Sequence, residues 1–519
     1  MKSKLKRPAF KEKQLRRRYL PTRYIVATFV TILEVVGILG VSVLLCTAFP
    51  ALLPVICLVE GICVVRIVAS DDNPDYKVPW LLIVLLLPVV GVLLYFIFYS
   101  RKLRPKRLRR LGALQAQRAT DKAALLSELA AISPAVAADA KLLCRISGSH
   151  LYNDTTQRYF DAGEAMWEAL LADLRGAKRF IFLEFFLVRE GVFWRSVLSV
   201  LREKAADGVE IRLVYDDVGC MTSLPDRYCQ ALKKQGIHAV PFSRLRGHAS
   251  SECNKRNHRK LVVIDGEIAY LGGINLSDEY VNATSPLGHW KDAGVRLQGP
   301  AVCELTHLFL SDLTLSTKRP PLDPVHHFPT VPSMPCDGFL IPFGDGPRPL
   351  YTRRVGKSVI QCLLARATRY AWISSPYLII GNDLCLSIEE AALRGVDVRI
   401  LLPHVPDKPL VFEITRSFYP RLMAAGVKIF EYLPGFLHAK CYLVDDELAM
   451  VGSINLDHRS LVHQFECGVW MYRCECLSAL KADLLTTLAR SRQIEKADLR
   501  SSLPRRALRA LLRILAPLL

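Results

Sequence analysis

Two histidines, His258 and His438, each stand two residues before a lysine and seven before an aspartate, in HRKLVVID and HAKCYLVD. On an extended strand residues two apart project to one face, so each copy presents an imidazole beside an ammonium, Lys260 in the first and Lys440 in the second. The apolar runs Leu261 to Ile264 and Cys441 to Val444 then continue into a sheet core before Asp265 and Asp445 close them. A turn follows each motif, carrying Gly272, Gly273 and Asn275 in one copy and Gly452, Ser453 and Asn455 in the other, where small residues let backbone approach a ligand.

Two imidazoles and two ammonium groups brought to one place suit a phosphodiester. One histidine can attack phosphorus to give a covalent phosphohistidine while the other protonates the leaving alkoxide and later deprotonates the incoming alcohol. Lys260, Lys440, Asn275 and Asn455 would hold the non-bridging oxygens. This chemistry calls for no metal and no cofactor. An attacking imidazole must be neutral at the attacking nitrogen, so its other nitrogen needs a carboxylate. Asp292 in KDAGVRL and Glu466 in FECGVW, 34 and 28 residues beyond the motif histidines, are the candidate orienting groups. Asp265 and Asp445 belong to the candidate catalytic motif, but their strand-end positions read as hydrogen-bond or ion-pair partners rather than substrate contacts.

A single His-x-Lys on a strand is most often a surface or packed pair. Here the whole context is duplicated at an offset of 180 residues. DGVEIRLVYDD from Asp207 resembles RGVDVRILLPH from Arg394, and QGIHAVPF from Gln235 resembles AGVKIFEY from Ala425. Each copy reads strand, helix, strand, helix, strand, motif strand, which predicts an α/β protein of two halves at residues 140–320 and 335–495. Residues 321–334 link the halves, and a linker at 111–139 precedes them.

Residues 1–110 have a different character, a basic start followed by apolar stretches at about 24–68 and 78–99. The second stretch is long enough to cross a bilayer, with Pro88 needed only as a kink. Basic residues flank the apolar region on both sides while Ser70 to Tyr76 is acidic, so an even number of crossings, two, is expected, with the remainder on the cytoplasmic face; three hydrophobic segments can also be counted, and three crossings would place the remainder outside. At the other end, 496–519 reads as a basic amphipathic helix suited to an anionic membrane surface or to packing on the domain. The 519 residues carry a net charge of +20, and much of the excess lies at these membrane flanks and the tail. Anionic lipid is therefore the expected partner and nucleic acid is not. The fifteen cysteines have no paired C-x2-C spacing and read as free thiols.

Both motifs, with their small-residue turns and asparagines, resemble the hallmark of the phospholipase D superfamily, over about Ala140 to Arg490. With the amino-terminal segments, the chain is similar to bacterial cardiolipin synthases at Asp72 to Lys102, at SSPYLI from Ser374 and at SINLDHRS from Ser453. The resemblance implies two pseudo-symmetric phospholipase D-type α/β/α halves preceded by transmembrane helices in a bacterial inner membrane. It implies reversible phosphatidyl transfer between two phosphatidylglycerol molecules, giving cardiolipin and glycerol. It also implies that His258 is the nucleophile, His438 the acid and base, and Glu184 in FLEFF a neighbour of the head group. The weakest match is FGDGP at Phe343 to Pro347, which bears on acceptor contacts rather than on the chemistry. A hydrolytic phospholipase D or a phosphatidylserine synthase would use the same groups with a different second substrate. A superfamily nuclease and a membrane scaffold are more distant alternatives.

Overall fold

The β-branched and aromatic runs of the duplicated segments form two mixed sheets in a computed structural model describing residues 22–70, 73–99, 123–245, 254–317, 324–351 and 353–518. The basic stretches at 1–21 and 100–122, on which part of the expected topology rests, lie outside the described residues. In the first half the strands are β1 (Thr156–Phe160), β2 (Phe180–Phe185), β3 (Glu210–Asp216), β4 (Ile237–Phe242), β5 (Lys260–Ile264), β6 (Ile268–Gly272), β7 (His289–Lys291) and β8 (Gly294–Gln298). The second half has β9 (Phe339–Asp345), β10 (Tyr370–Ser374), β11 (Leu378–Ile379), β12 (Asp397–Pro403), β13 (Lys428–Tyr432) and β14 (Gly435–Leu437). Its remaining strands are β15 (Cys441–Val444), β16 (Leu448–Gly452), β17 (Leu456–Asp457), β18 (Glu466–Tyr472) and β19 (Ser491–Gln493).

The strand orders are β1-β8-β6-β5-β2-β3-β4 and β9-β18-β16-β15-β10-β12-β13-β19. Apart from β19 they correspond one to one, and the parallel run β2-β3-β4 matches β10-β12-β13. The motif strands β5 and β15 sit at the centre of their sheets, antiparallel to β2 and β10. Helices cover the outer faces, including Gly163–Gly176 and Val192–Ala206 on the first sheet and Val355–Arg366 and Pro409–Ala424 on the second. The inner faces share one core, in which Leu261, Val263 and Leu271 pack with Leu443, Val451 and Val469 and with the helix Val302–Ser316. Burial of this shared apolar area ties the halves together.

Two short pairings cross between the halves. Strands β7 and β14 run parallel with Lys291 opposite Leu437, and Asn257 forms a parallel bridge with Phe465. Both crossings end immediately before residues the sequence marks for chemistry.

The amino-terminal helices are α1 (Thr22–Ala48), α2 (Leu53–Ala69), α3 (Pro74–Leu86) and α4 (Pro88–Phe98). The apolar run at 78–99, expected as one kinked crossing, is instead a helical hairpin. The Trp80 and Tyr95 rings meet edge to face at 6.2 Å, and Tyr76 and Tyr99 stack at 6.0 Å, so α4 returns alongside α3. Pro88 has no N–H to continue α3, and it opens α4 at the first turn, where proline is favoured. Gly91 makes the close return possible, because a Cβ there would collide with the Ile83 carbonyl and the Val84 Cα. At 13 and 11 residues, α3 and α4 are each shorter than the roughly 20 residues a crossing requires. By length and apolarity together, no helix among the described residues qualifies as a membrane crossing.

The carboxy-terminal helix Leu503–Leu515 packs on the second half in an unusual sense. Two of its arginines face inward, Arg509 bonded to Glu413 at 2.8 Å and Arg513 lying 4.4 Å over the Phe418 ring, while Arg505, Arg506, Leu503, Leu508, Leu511 and Ile514 are exposed. The thirteen cysteines whose side chains are described are all free.

Candidate active site

The crossing strands determine which carboxylate meets which histidine. Because Lys291 lies opposite Leu437, the next residues come together, and Asp292 Oδ2 lies 2.6 Å from His438 Nδ1. The His438 N–H also donates to the Lys291 carbonyl at 2.7 Å. At the other crossing the His258 N–H donates to the Phe465 carbonyl at 2.9 Å, and Glu466 Oε1 lies 2.9 Å from His258 Nδ1. Each orienting carboxylate therefore serves the histidine of the opposite half. A carboxylate at Nδ1 assigns the proton to that nitrogen and leaves Nε2 as the reactive atom.

Both carboxylates are fully enclosed, whereas His258 and His438 retain 8% and 7% exposure, so the imidazoles form the open edge of the cluster. Burial, reinforced by Lys260 and Lys440, holds His258 well below the usual imidazole range. Burial and Lys440 depress His438 to about 3 despite the opposing pull of Asp292. Both rings are consequently neutral at pH 7. Burial also lowers Lys260 to about 7 and Lys440 to about 8, against the attraction of Glu466 and Asp292. Glu466 is pushed up to about 7 by burial, while Asp292 is held below the ordinary value by His438, then Lys440, which outweigh its burial. A phosphodiester beside these lysines would favour their charged forms.

Lys260 and Lys440 each donate to the carbonyl of their own motif histidine, and Lys440 Nζ also sits 2.8 Å from His438 Nδ1. The two asparagines are not equivalent. Asn275 donates to the Tyr280 hydroxyl at 2.8 Å and accepts from the Leu187 N–H at 3.1 Å, whereas the buried Asn455 Oδ1 has no hydrogen-bond partner. The small residues of the two turns serve the carboxylates. A Cβ at Gly273 would strike the Asp292 carboxylate, and at the matching position Ser453 donates its hydroxyl to Glu466. Room for the orienting group, rather than close approach of a ligand, accounts for Gly273 and Ser453, whereas a Cβ at Gly272 or Gly452 would strike neighbouring backbone at Ala293–Gly294 or Cys467–Gly468.

Asp265 and Asp445 lie at the far ends of their motif strands. Asp265 accepts from the N–H groups of Lys178, Arg179 and Phe180 at 2.7–2.9 Å, and Asp445 accepts from those of Thr368, Arg369 and Tyr370 at the same distances. Each clamps the start of the neighbouring strand β2 or β10, so the motif aspartates stand apart from the imidazoles they accompany in sequence. Glu184 also differs from expectation. It is fully buried on the inter-sheet face, takes a hydrogen bond from Asn257, and is raised well above the carboxylate range by burial and by Asp312. It belongs to the mount beneath His258 rather than to the opening. Arg259, between the motif His and Lys, points into the same mount and donates to the Glu466 carbonyl at 2.9 Å.

Sequence reasoning missed the aromatic walls. Phe186 meets the His258 ring at 5.2 Å, and Tyr280, Trp290 and Phe436 surround His438 at 5.3, 5.4 and 5.8 Å. It also missed Ser460, whose hydroxyl donates to Glu466 at 2.5 Å. Trp290 stands two residues before Asp292, a proximity that could have been noticed. One cluster among the described residues brings metal-ligand atoms together, Glu210 with His326 and His327. It lies at the Phe180 end of β2, opposite the end that pairs with Lys260.

Comparison with known proteins adds an independent line. A family model described as cardiolipin synthase, PLD-like domain matches residues 170–292 and 360–486, and one described as phospholipase D-nuclease N-terminal matches 61–98. An uncharacterized protein of Streptococcus mutans is 36% identical over 474 residues, covering 88% of this chain and 99% of the relative. A cardiolipin synthase of Halalkalibacterium halodurans is 32% identical over 469 residues (87% and 90%), and one of a Geobacillus species is 33% identical over 456 residues (87% and 90%). The solved phosphatidylserine synthase of Haemophilus influenzae superposes with a TM-score of 0.55 at 13% identity, covering 73% of this chain and 97% of that one. That last likeness concerns the fold alone.

Proposed function

Because the chain belongs to the cardiolipin synthase, PLD-like family, we propose that its paired histidines carry a phosphatidyl group from one phosphatidylglycerol to a hydroxyl of another, giving cardiolipin and glycerol. It is a phosphatidyltransferase. The observation that carries the mechanism is the crossed pairing, in which each Nδ1 is held by a carboxylate from the other half.

His258 Nε2 attacks the donor phosphorus, forming a P–N bond as the P–O bond to glycerol breaks. As the anionic phosphodiester enters beside Asp292, His438 Nε2 takes up a proton from solvent, and the departing alkoxide receives that proton. The acceptor hydroxyl then attacks phosphorus, returns a proton to His438, and releases His258 as the P–N bond breaks. Lys260 and Lys440 offset the charge developing on the non-bridging oxygens. Asp265 and Asp445 keep the motif strands in register.

Residues 140–320 and 335–495 act as the two halves of this one site, and residues 1–110 hold it at the membrane. Large aliphatic side chains are exposed along α1 and α2, at Leu86 on the hairpin tip and along the carboxy-terminal helix, as an apolar surface meeting lipid would be. The α3–α4 hairpin turns back on itself, so both its ends lie on one side, in keeping with catalytic halves on the cytoplasmic face of a bacterial inner membrane. The test is incubation of the purified chain with phosphatidylglycerol vesicles. Cardiolipin and glycerol in equal amounts are expected, and phosphatidic acid as the only lipid product would instead make the chain a hydrolase.

A further inference from the structure

A cleft of about 690 Å³ lies where the hairpin base meets the second half, and Asn254 and Lys255, which lead into the His258 motif, line part of it. Its walls carry Lys255, Arg348, Arg353, Arg354 and Lys357 against two carboxylates, Asp75 and Asp383. Both carboxylates are engaged, Asp75 by the Asn382 N–H at 2.8 Å and Asp383 by Lys357. Arg348 and Arg353 are exposed on its rim. The hairpin contributes Tyr76 and Phe98, and Tyr76 meets the His463 ring at 5.2 Å. A strongly cationic cleft bordered on one side by the lipid-facing hairpin has the character of a site for an anionic phospholipid head group.

The reaction itself calls for a second such site. The histidines and motif lysines accommodate one phosphodiester, the donor's. An acceptor that is also phosphatidylglycerol brings a second phosphodiester, which does not react and still has to be held. The cleft is close enough to hold it. Lys255 precedes His258 by three residues and His463 precedes Glu466 by three, so each is within about 11 Å of its catalytic neighbour along the chain. These two segments are also joined by the hydrogen bond from the Phe465 N–H to the Arg256 carbonyl, 2.9 Å.

We propose that this cleft binds the phosphodiester of the acceptor phospholipid and is what makes a lipid, rather than water or free glycerol, the preferred second substrate. The proposal rests on the phosphatidyl-transfer reading. Its test is the double variant Arg348→Ala/Arg353→Ala of the full chain in vesicles of phosphatidylglycerol and phosphatidylcholine, followed by two readouts. One is cardiolipin formation as a function of phosphatidylglycerol content. The other is exchange of isotopically labelled free glycerol into phosphatidylglycerol, which uses the same donor and a neutral acceptor. The half-saturating phosphatidylglycerol content for cardiolipin formation should rise about tenfold while glycerol exchange is unchanged. Equal losses in both readouts, or none in either, would overturn the proposal. Inhibition of the wild type by inorganic phosphate that the variant escapes, with an unchanged phosphatidylglycerol dependence, would assign the cleft to a soluble anion and overturn it too. A wild-type chain that releases only phosphatidic acid would refute the transfer reading itself, a result distinct from all of these.

Discussion

Replacing Asp292 with asparagine should disable one histidine and leave the other intact. The carboxylate accepts from His438 Nδ1 at 2.6 Å and is also a neighbour of Lys440. Asparagine can present its amide N–H to Nδ1, which favours the tautomer with the proton on Nε2, and it cannot stabilise the imidazolium. General acid–base assistance is worth roughly 10² to 10⁴ in rate, and the asparagine exchange in a Ser-His-Asp triad costs about 10⁴, so a fall in kcat of about 10³ or more is expected with phosphatidylglycerol. A donor whose leaving group needs no proton, phosphatidyl-p-nitrophenol, should recover most of that loss in the burst of p-nitrophenol release. Glu466→Gln acts on His258, the proposed nucleophile, and should show no such recovery. Thermal unfolding of both variants separates misfolding from chemistry. Equal responses of the two variants to the leaving group, or an Asp292→Asn turnover within about tenfold of the wild type, would refute the division of labour.

The pH profile should be bell-shaped with its optimum between about 7 and 8. As pH falls through about 7, Glu466 gains a proton and ceases to hold His258; as pH rises through about 7 to 8, Lys260 and Lys440 lose the charge that binds the donor. The residual activity of Glu466→Gln should lack the acid limb in kcat/KM measurements from pH 5 to 10. Asp445→Ala removes an acceptor for three backbone N–H groups and should lower stability by about 1–3 kcal/mol in denaturant titration, with kcat changed only a few-fold. Gly91→Val should lower the melting temperature in detergent through a clash worth about 1–3 kcal/mol, without abolishing p-nitrophenol release.

The duplicated motif made the two halves legible, because a 180-residue offset carries strands, helices and chemistry together. Asp292 and Glu466 were legible as equivalent positions, but their partners were not. The exchange between halves depends on Lys291 lying opposite Leu437 and Asn257 opposite Phe465, contacts between segments far apart in the chain. Gly273 was read as room for a ligand because sequence gives the size of a residue and not its neighbour. The run at 78–99 read as one crossing because hydropathy records apolar length, whereas Pro88 and Gly91 together direct the chain back on itself. Glu184 looked like a site residue from its phrase alone. Strand alternation places it with Phe182, and that face proves to be the inter-sheet core.

A phosphatidyl group held on His258 is tested most directly by mass spectrometry of the His438→Ala chain quenched after brief exposure to phosphatidyl-p-nitrophenol. A phosphatidyl adduct is expected on the peptide containing His258, and none in His258→Ala. An adduct on another residue, or turnover in the His258→Ala chain near that of the wild type, would contradict it.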